Sequence, residues 1–278
     1  FIGTPDYEHG AASRAGVLLV TLGTPDDPSP AAVRRYLAEF LWDPRVIEMP
    51  RALWWLILNG IILRVRPKRS AHAYQKVWTE QGSPLLIESR GLADALAARL
   101  KAEYGERVIV DLAMTYGNPS IPAALERFRQ RNVQRLIVLP LYPQYSSTTT
   151  GTIFERVTRE LSRWRWMPEL RFVNQYWERE SYLSAVSASI AEHWRKHGRK
   201  HLLFSFHSIP KRYFTAGDPY HCFCRGTARA VAERLGLKDG EWSIGFQSRF
   251  GKAEWLKPYV DGLLHEYAKN GPKQVTVV

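Results

Sequence analysis

Cysteine is nearly absent: the 278-residue chain has only Cys222 and Cys224, one residue apart. That separation is too short for a comfortable disulfide, and no spaced cysteine framework exists. A disulfide-stapled secreted scaffold is thereby excluded, and a reducing, cytoplasmic setting is expected. A long apolar run is missing as well. The most apolar stretch, residues 52–63, is interrupted by Asn59-Gly60 and flanked by Arg51 and Arg64, whereas a bilayer crossing needs about 20 apolar residues. It reads equally as a partly buried helix, as the lip of an apolar pocket or as a segment dipping into a membrane surface. Residues 1–15 are polar and carry no secretory core. There is no Walker lysine loop, and Leu22-Gly23-Thr24-Pro25 lacks the spacing of a dinucleotide fingerprint, so phosphate-cofactor chemistry is disfavoured. No GxSxG nucleophile elbow occurs either.

Acidic residues are also in short supply, 27 against 39 Lys and Arg, for a formal net charge of +12. Such an excess points to an anionic partner: nucleic acid, an anionic membrane surface or a carboxylated small molecule. No RNP-type strand pair or zinc finger accompanies the charge, so no nucleic-acid partner is expected. Most of these cations read as solvated helix faces. What the chain does have is apolar and aromatic bulk, 45% hydrophobic with 10 Trp, 13 Tyr and 11 Phe. That suits a sizeable core, and it suits equally a flat apolar cleft lined by rings.

Apolar β-type runs at 17–22, 108–114, 136–141, 170–173, 202–206, 242–246 and 275–278 are continuous rather than alternating, the pattern of parallel strands buried on both faces. Helical spacing joins Val33, Tyr36, Leu37, Phe40 and Leu41; Leu92, Leu96 and Leu100; Ile121, Leu125 and Phe128; and Tyr182, Val186, Ile190 and Trp194. Pro30 and Pro122 sit where a first helical turn tolerates proline. This βαβ alternation predicts an α/β protein of two Rossmann-like, doubly wound parallel-sheet domains, 16–155 and 156–278, with a cleft between them. The run at 274–278 ends without a turn or cap. It is either an edge strand or one that continues past Val278, and continuation is the expectation.

Ligands in open α/β sheets bind beyond the carboxyl ends of the strands. Five such ends carry polar, Gly/Pro-punctuated segments: 21–25, 116–119, 142–146, 207–210 and 247–251. Each alone is ordinary turn chemistry; their convergence favours a site. His207, directly after the apolar run 202–206, is the sharpest residue. It can bind a divalent metal or move protons near neutral pH, or it can be a strand-end imidazole satisfied by a backbone carbonyl. His193 and His197 have chelating spacing, but their basic HWRKH surroundings favour a solvated helix face. His221-Cys222-Phe223-Cys224 lacks a fourth ligand and a second spaced pair, which favours a structural role.

The segments TLGTP, RRYLAEFLWDPRVIEMPR, WTEQGSPL, YGNPSI, LPLYPQYSSTTTG, FSFHSIPKRYFTAGDPY and FQSRFGKAEWLKPY, in this order from Gly16 to Val278, closely resemble bacterial ferrochelatases of the protoporphyrin type. The resemblance implies a chelatase fold with a porphyrin cleft, and a lyase that inserts Fe²⁺ into protoporphyrin IX, the terminal step of heme biosynthesis. It matches His207 to the family's iron-binding or proton-abstracting histidine. Leu22, Tyr116, Tyr142, Ser146 and Trp255 match residues that line the substrate. It makes protoporphyrin IX and Fe²⁺ the partners and substrates and requires no cofactor. Residues 52–63 correspond to a porphyrin-entry lip, with peripheral contact at the inner membrane as a further implication.

This chemistry agrees with the residues. Metallation removes two pyrrole protons while four ring nitrogens replace the metal's water shell. A flat apolar cleft can bend the macrocycle so that its lone pairs face the metal, and an imidazole can take the protons or ligate the incoming ion. There are departures from the family pattern. Thr21 stands where Asn is usual, Thr115 where Arg commonly precedes the tyrosine, and Ser147 where some members have a cluster-ligating Cys, so no iron–sulfur cluster is supported. The family's acidic partner is expected past Val278. Two alternatives stand beside the main reading: a coproporphyrin III ferrochelatase, and a catalytically incomplete porphyrin-binding module. Oligomeric state is not legible.

Overall fold

The computed structural model describes residues 1–4, 7–251 and 253–278. The chain divides into two compact units. One comprises residues 1–142 and 147–174, the other 143–146 and 175–278.

In the first unit β1 (Arg14–Thr24), β2 (Val108–Gly117), β3 (Val133–Pro140) and β4 (Glu169–Phe172) form a parallel sheet in the order β2-β1-β3-β4. Strand alternation sends Leu18, Val20, Ile109, Ala113, Leu136 and Val138 to one face, against α5 (Ile121–Gln130) and α6 (Thr152–Leu161). Leu19, Leu112 and Met114 meet α4 (Pro84–Tyr104) on the other. Helices on both faces of a parallel sheet make the unit doubly wound. The α1 helix (Pro30–Trp42) starts where Ser29 accepts the Ala32 amide at 3.2 Å and Pro30 occupies the first turn. Ser120 caps α5 in the same way.

In the second unit β5 (His201–His207) is flanked by β6 (Trp242–Gln247) and β7 (Val275–Val277), all parallel. Leu202, Phe204, Ile244 and Phe246 pack on α7 (Glu180–His197) and α9 (Tyr220–Arg234). On the other face Gly245 admits Val260 and Leu263 of α10 (Val260–Asn270). β7 pairs with β5 on the side away from β6.

All seven expected strands form, within a few residues of the expected ends. Two expectations change. The division falls after Asn174 instead of after Glu155, because α6 packs on the first sheet and β4 pairs with β3 in it. Residues 143–146 cluster with the second unit instead. In α4 the buried face runs through Ser89 and Ala93, with Leu92 about half exposed. Leu96 of the leucine-spaced set packs against the same cluster as Ala93, whereas Leu92 turns outward.

The apolar stretch at 52–63 lies in α2 (Arg51–Ile57), a π-helical turn (Leu58–Ile62) and the start of α3 (Leu63–Val77). Trp54, Leu58 and Leu63 are buried in a cluster with Val33, Leu37 and Tyr116, whereas Leu53, Trp55, Leu56, Ile61 and Val65 face outward. No described helix is long and apolar enough to cross a membrane.

Candidate active site

Each unit presents its polar strand ends on the carboxyl edge of its own sheet. In the first unit Gly23 pairs with Tyr116 across β1 and β2 at a separation no side chain would permit. A Cβ on Gly23 would lie 1.8 Å from the Tyr116 carbonyl oxygen, and its φ is +112°. Half-buried Leu22 packs in the same cluster as Tyr116. Tyr116 is 0% exposed, and its hydroxyl donates to Asp43 Oδ2 at 2.9 Å. Burial and the adjacent Asp43 carboxylate hold that phenol well above the ordinary tyrosine range. Its ring lies beneath the Arg156 guanidinium, 4.6 Å from the centroid. Tyr142, two residues past β3, buries its hydroxyl without a hydrogen-bond partner among the described residues. Burial raises its pKa, and neighbouring Thr21 works against that. Thr24, Thr150 and Thr152 also carry buried hydroxyls with unspent hydrogen-bonding capacity. Such groups are ordinarily satisfied by water or ligand atoms. This edge is an aromatic and hydroxyl-rich wall.

In the second unit His207 closes β5 opposite Gln247 of β6. Its Nδ1 lies 2.6 Å from the Ser208 carbonyl oxygen. A carbonyl only accepts, so Nδ1 carries the proton and Nε2 keeps its lone pair. The backbone carbonyl thus satisfies one nitrogen, as a strand-end imidazole would have it, and the other nitrogen keeps its lone pair. The ring is crowded by protein yet reaches solvent. That crowding depresses its pKa below the usual histidine value of 6.5, while the Ser208 carbonyl works the other way.

The loop after His207 is clamped to the segment carrying Trp255. Pro210 bridges Trp255, the Leu256 amide donates to the Ile209 carbonyl at 3.1 Å, and the Lys211 amide donates to that of Glu254 at 2.8 Å. Trp255 is buried, with Nε1 donating to the Phe250 carbonyl at 2.9 Å. Ser146 is 1% exposed and donates to Asp218 Oδ2 at 2.9 Å. The Asp218 amide in turn bonds the Tyr213 carbonyl, within the turn that follows α8 (Lys211–Thr215). The structure thus gathers Ser146, His207 and Trp255 on one edge, and Leu22, Tyr116 and Tyr142 on the other unit's edge. Tyr116 and Ser146 contribute buried support there, with both hydroxyls spent on carboxylates. An open depression of about 410 Å³ adjoins β6, lined by Gln247, Arg249, Tyr259 and Asp261 among others.

The sequence reading missed the carboxylates and the cation that order these edges: Asp43, Glu39, Asp218 and Arg156. Asp43 and Asp218 carried a signal, since each is an Asp within a quoted motif and beside aromatic residues. Arg156 had none, because a helical arginine looks the same whether it faces solvent or a strand end. The other histidine candidates stay structural. His193 and His197 rings lie 4.6 Å apart on α7. His221 stacks on Phe246 and accepts from Arg225 Nε at 3.2 Å. Cys222 and Cys224 are free thiols, the first exposed and the second buried. No group of three or more His, Cys, Asp or Glu suited to a metal occurs among the described residues.

Comparison with known proteins bears directly on this arrangement. The ferrochelatase family profile matches residues 14–278. A ferrochelatase of Thioalkalivibrio sulfidiphilus is 59% identical over 94% of this chain and 71% of its own length. One from Nitrosococcus oceani is 55% identical over 100% of this chain and 76% of its own. One from Marinobacter nauticus is 49% identical over 99% and 75%. With the profile spanning both sheets and both polar edges, the chain belongs to the ferrochelatase family.

Proposed function

We propose that this enzyme inserts Fe²⁺ into protoporphyrin IX, with the metal as substrate and no resident cofactor. Family membership makes the chain a lyase of porphyrin and metal-ion substrates. The observation that supports the insertion chemistry is His207, whose protonated Nδ1 is tied to the Ser208 carbonyl while Nε2 is left as a base. Such a nitrogen can ligate an incoming ferrous ion or accept a pyrrole proton. No change of iron oxidation state is involved, which fits the absence of a nucleotide fingerprint. The porphyrin-facing roles of Leu22, Tyr142 and Trp255 belong to this proposal, as do the supporting roles of Tyr116 and Ser146. Steady-state metallation of protoporphyrin IX and coproporphyrin III, followed by loss of porphyrin fluorescence, tests it. Protoporphyrin IX should be the better substrate by kcat/KM; turnover of coproporphyrin III alone would replace it as the substrate.

A pH dependence follows from His207. Its depressed pKa keeps the imidazole neutral below the usual histidine range, so the acid limb of kcat/KM should lie below pH 6.5. The same shift affects stability with a definite sign. At pH values above 6.5 both folded and unfolded forms are neutral here, and the group has no effect. As pH falls through 6.5 the unfolded state binds the proton first, so stability decreases. An acid limb at or above 6.5 that His207→Gln abolishes would contradict the assignment.

A cytoplasmic enzyme in peripheral contact with an anionic membrane is the associated proposal. Trp55, Leu56, Ile61 and Val65 are more than half exposed. Exposed Arg64, Arg66, Lys68 and Arg69 follow immediately, and none pairs with a described residue. Apolar side chains beside unpaired cations suit a surface of acyl chains and anionic headgroups. Sedimentation with vesicles checks this: Trp55→Ser/Leu56→Ser should weaken binding to phosphatidylglycerol-containing vesicles by about tenfold or more. Unchanged partitioning, or equal binding to purely zwitterionic vesicles, would remove the membrane from the account.

A further inference from the structure

We propose that Arg156, reaching from α6, supplies the cation that position 115 lacks and acts as a positioning residue for metal insertion, holding the Tyr116 wall in place. The inference rests on reading that edge as a porphyrin-facing surface. Arg156 Nη1 donates to the Thr115 carbonyl oxygen at 2.6 Å and to Glu39 Oε1 at 2.7 Å. Its Nε lies 4.0 Å from Asp43 Oδ2, the atom that accepts the Tyr116 hydroxyl. Its guanidinium plane covers the Tyr116 ring. Glu39 spends its other oxygen on the Gly117 amide at 2.8 Å. Three consecutive residues at the end of β2 are thus held by one cation and the two carboxylates around it.

The arrangement exceeds what folding requires. Ile153, Val157 and Leu161 already anchor α6 in the core, and the β1 ladder already holds residues 114–117. Arg156 acts on the orientation of the Tyr116 ring and the strand-end carbonyl. Its side chain is 28% exposed, so the cation sits at the surface of the wall instead of deep beneath it. Nη1 bonds the carbonyl and the carboxylate while the guanidinium carbon lies over the ring; a compact, strongly hydrated ammonium on a flexible stem lacks the rigid plane that fixes all three contacts together. A wall displaced by a fraction of an ångström distorts a bound macrocycle less effectively, and small misplacements are costly in rate.

Arg156→Lys in the purified enzyme tests this through three readouts: the kinetic constants, the melting temperature and resonance Raman spectra of bound porphyrin. The expected result is a fall in kcat of about 10- to 100-fold, with KM for Fe²⁺ unchanged and weaker out-of-plane macrocycle bands. Parental kcat and parental bands would overturn the proposal. So would a loss of activity that merely follows loss of folded protein while Glu39→Gln stays fully active. If Arg156→Lys does not fold, Glu39→Gln decides, because it frees the guanidinium on one side. A lower kcat at unchanged melting temperature supports positioning, and parental kcat refutes it. A parent enzyme that neither binds nor metallates a porphyrin refutes the functional reading, and this inference with it. A parent that metallates while both variants match it refutes this inference alone.

Discussion

His207→Ala is expected to lower metallation by roughly 10²- to 10⁴-fold in kcat/KM, the usual contribution of a positioned acid–base group. Porphyrin binding should change little. His207 stands at the end of the central strand of its sheet, with backbone ladders to β6 over residues 202–207, so its backbone has little freedom. The Ser208 carbonyl selects the tautomer, and crowding keeps the ring uncharged near neutral pH. A neutral imidazole can take a proton or a metal; an imidazolium can do neither. Because the alanine deletion leaves the strand ladder intact, its melting temperature should stay close to the parent's. Porphyrin affinity read by Soret shift, compared with initial metallation rate, separates the two functions. Alanine activity within about threefold of the parent would remove His207 from the chemistry.

Gly23→Ala should cause a large loss of stability. The added Cβ would lie 1.8 Å from the Tyr116 carbonyl oxygen, a backbone atom that no rotamer change can move, and the φ of +112° is strained for any L side chain. Overpacking and backbone strain together cost about 3–5 kcal/mol. That is a large part of the roughly 5–15 kcal/mol that holds a typical domain folded. At this chain length the melting temperature should fall by about 10 °C, or the variant should be recovered only as aggregate. Gly60→Ala, where nothing lies within 4 Å of the added carbon, is the matched control and should melt close to the parent. A Gly23→Ala protein melting within about 3 °C of the parent would mean that β1 and β2 separate at this point more easily than their ladder implies.

Much of the framework was legible because it depends on short-range chemistry. Continuous apolar runs marked parallel strands, Pro30 and Pro122 marked helix starts, and Gly/Pro-rich punctuation marked the strand ends where the candidate residues lie. Less legible was anything set by packing at long sequence separation. The buried face of α4 runs through Ser89 and Ala93, and leucine periodicity does not reveal that Leu92 turns outward while Leu96 packs inward. Residues 143–146 belong with the second unit, where two of their side chains find distant partners: Gln144 Nε2 to Thr227 Oγ1 at 2.9 Å, and Ser146 to Asp218. Their partners lie more than 70 residues away in the chain.

By itself the amino-acid order determined the α/β class, the seven strands, the ferrochelatase resemblance and His207 as the leading residue, because each follows from local pattern or ordered motifs. Only tertiary structure decided which nitrogen of His207 stays available and that the Tyr116 and Ser146 hydroxyls are spent on buried carboxylates. It alone brought Arg156 to the strand end at Thr115. These depend on where a carbonyl, a carboxylate or a guanidinium comes to rest, and the Tyr116, Ser146 and Arg156 hydrogen bonds of 2.6–2.9 Å join residues 41–73 positions apart.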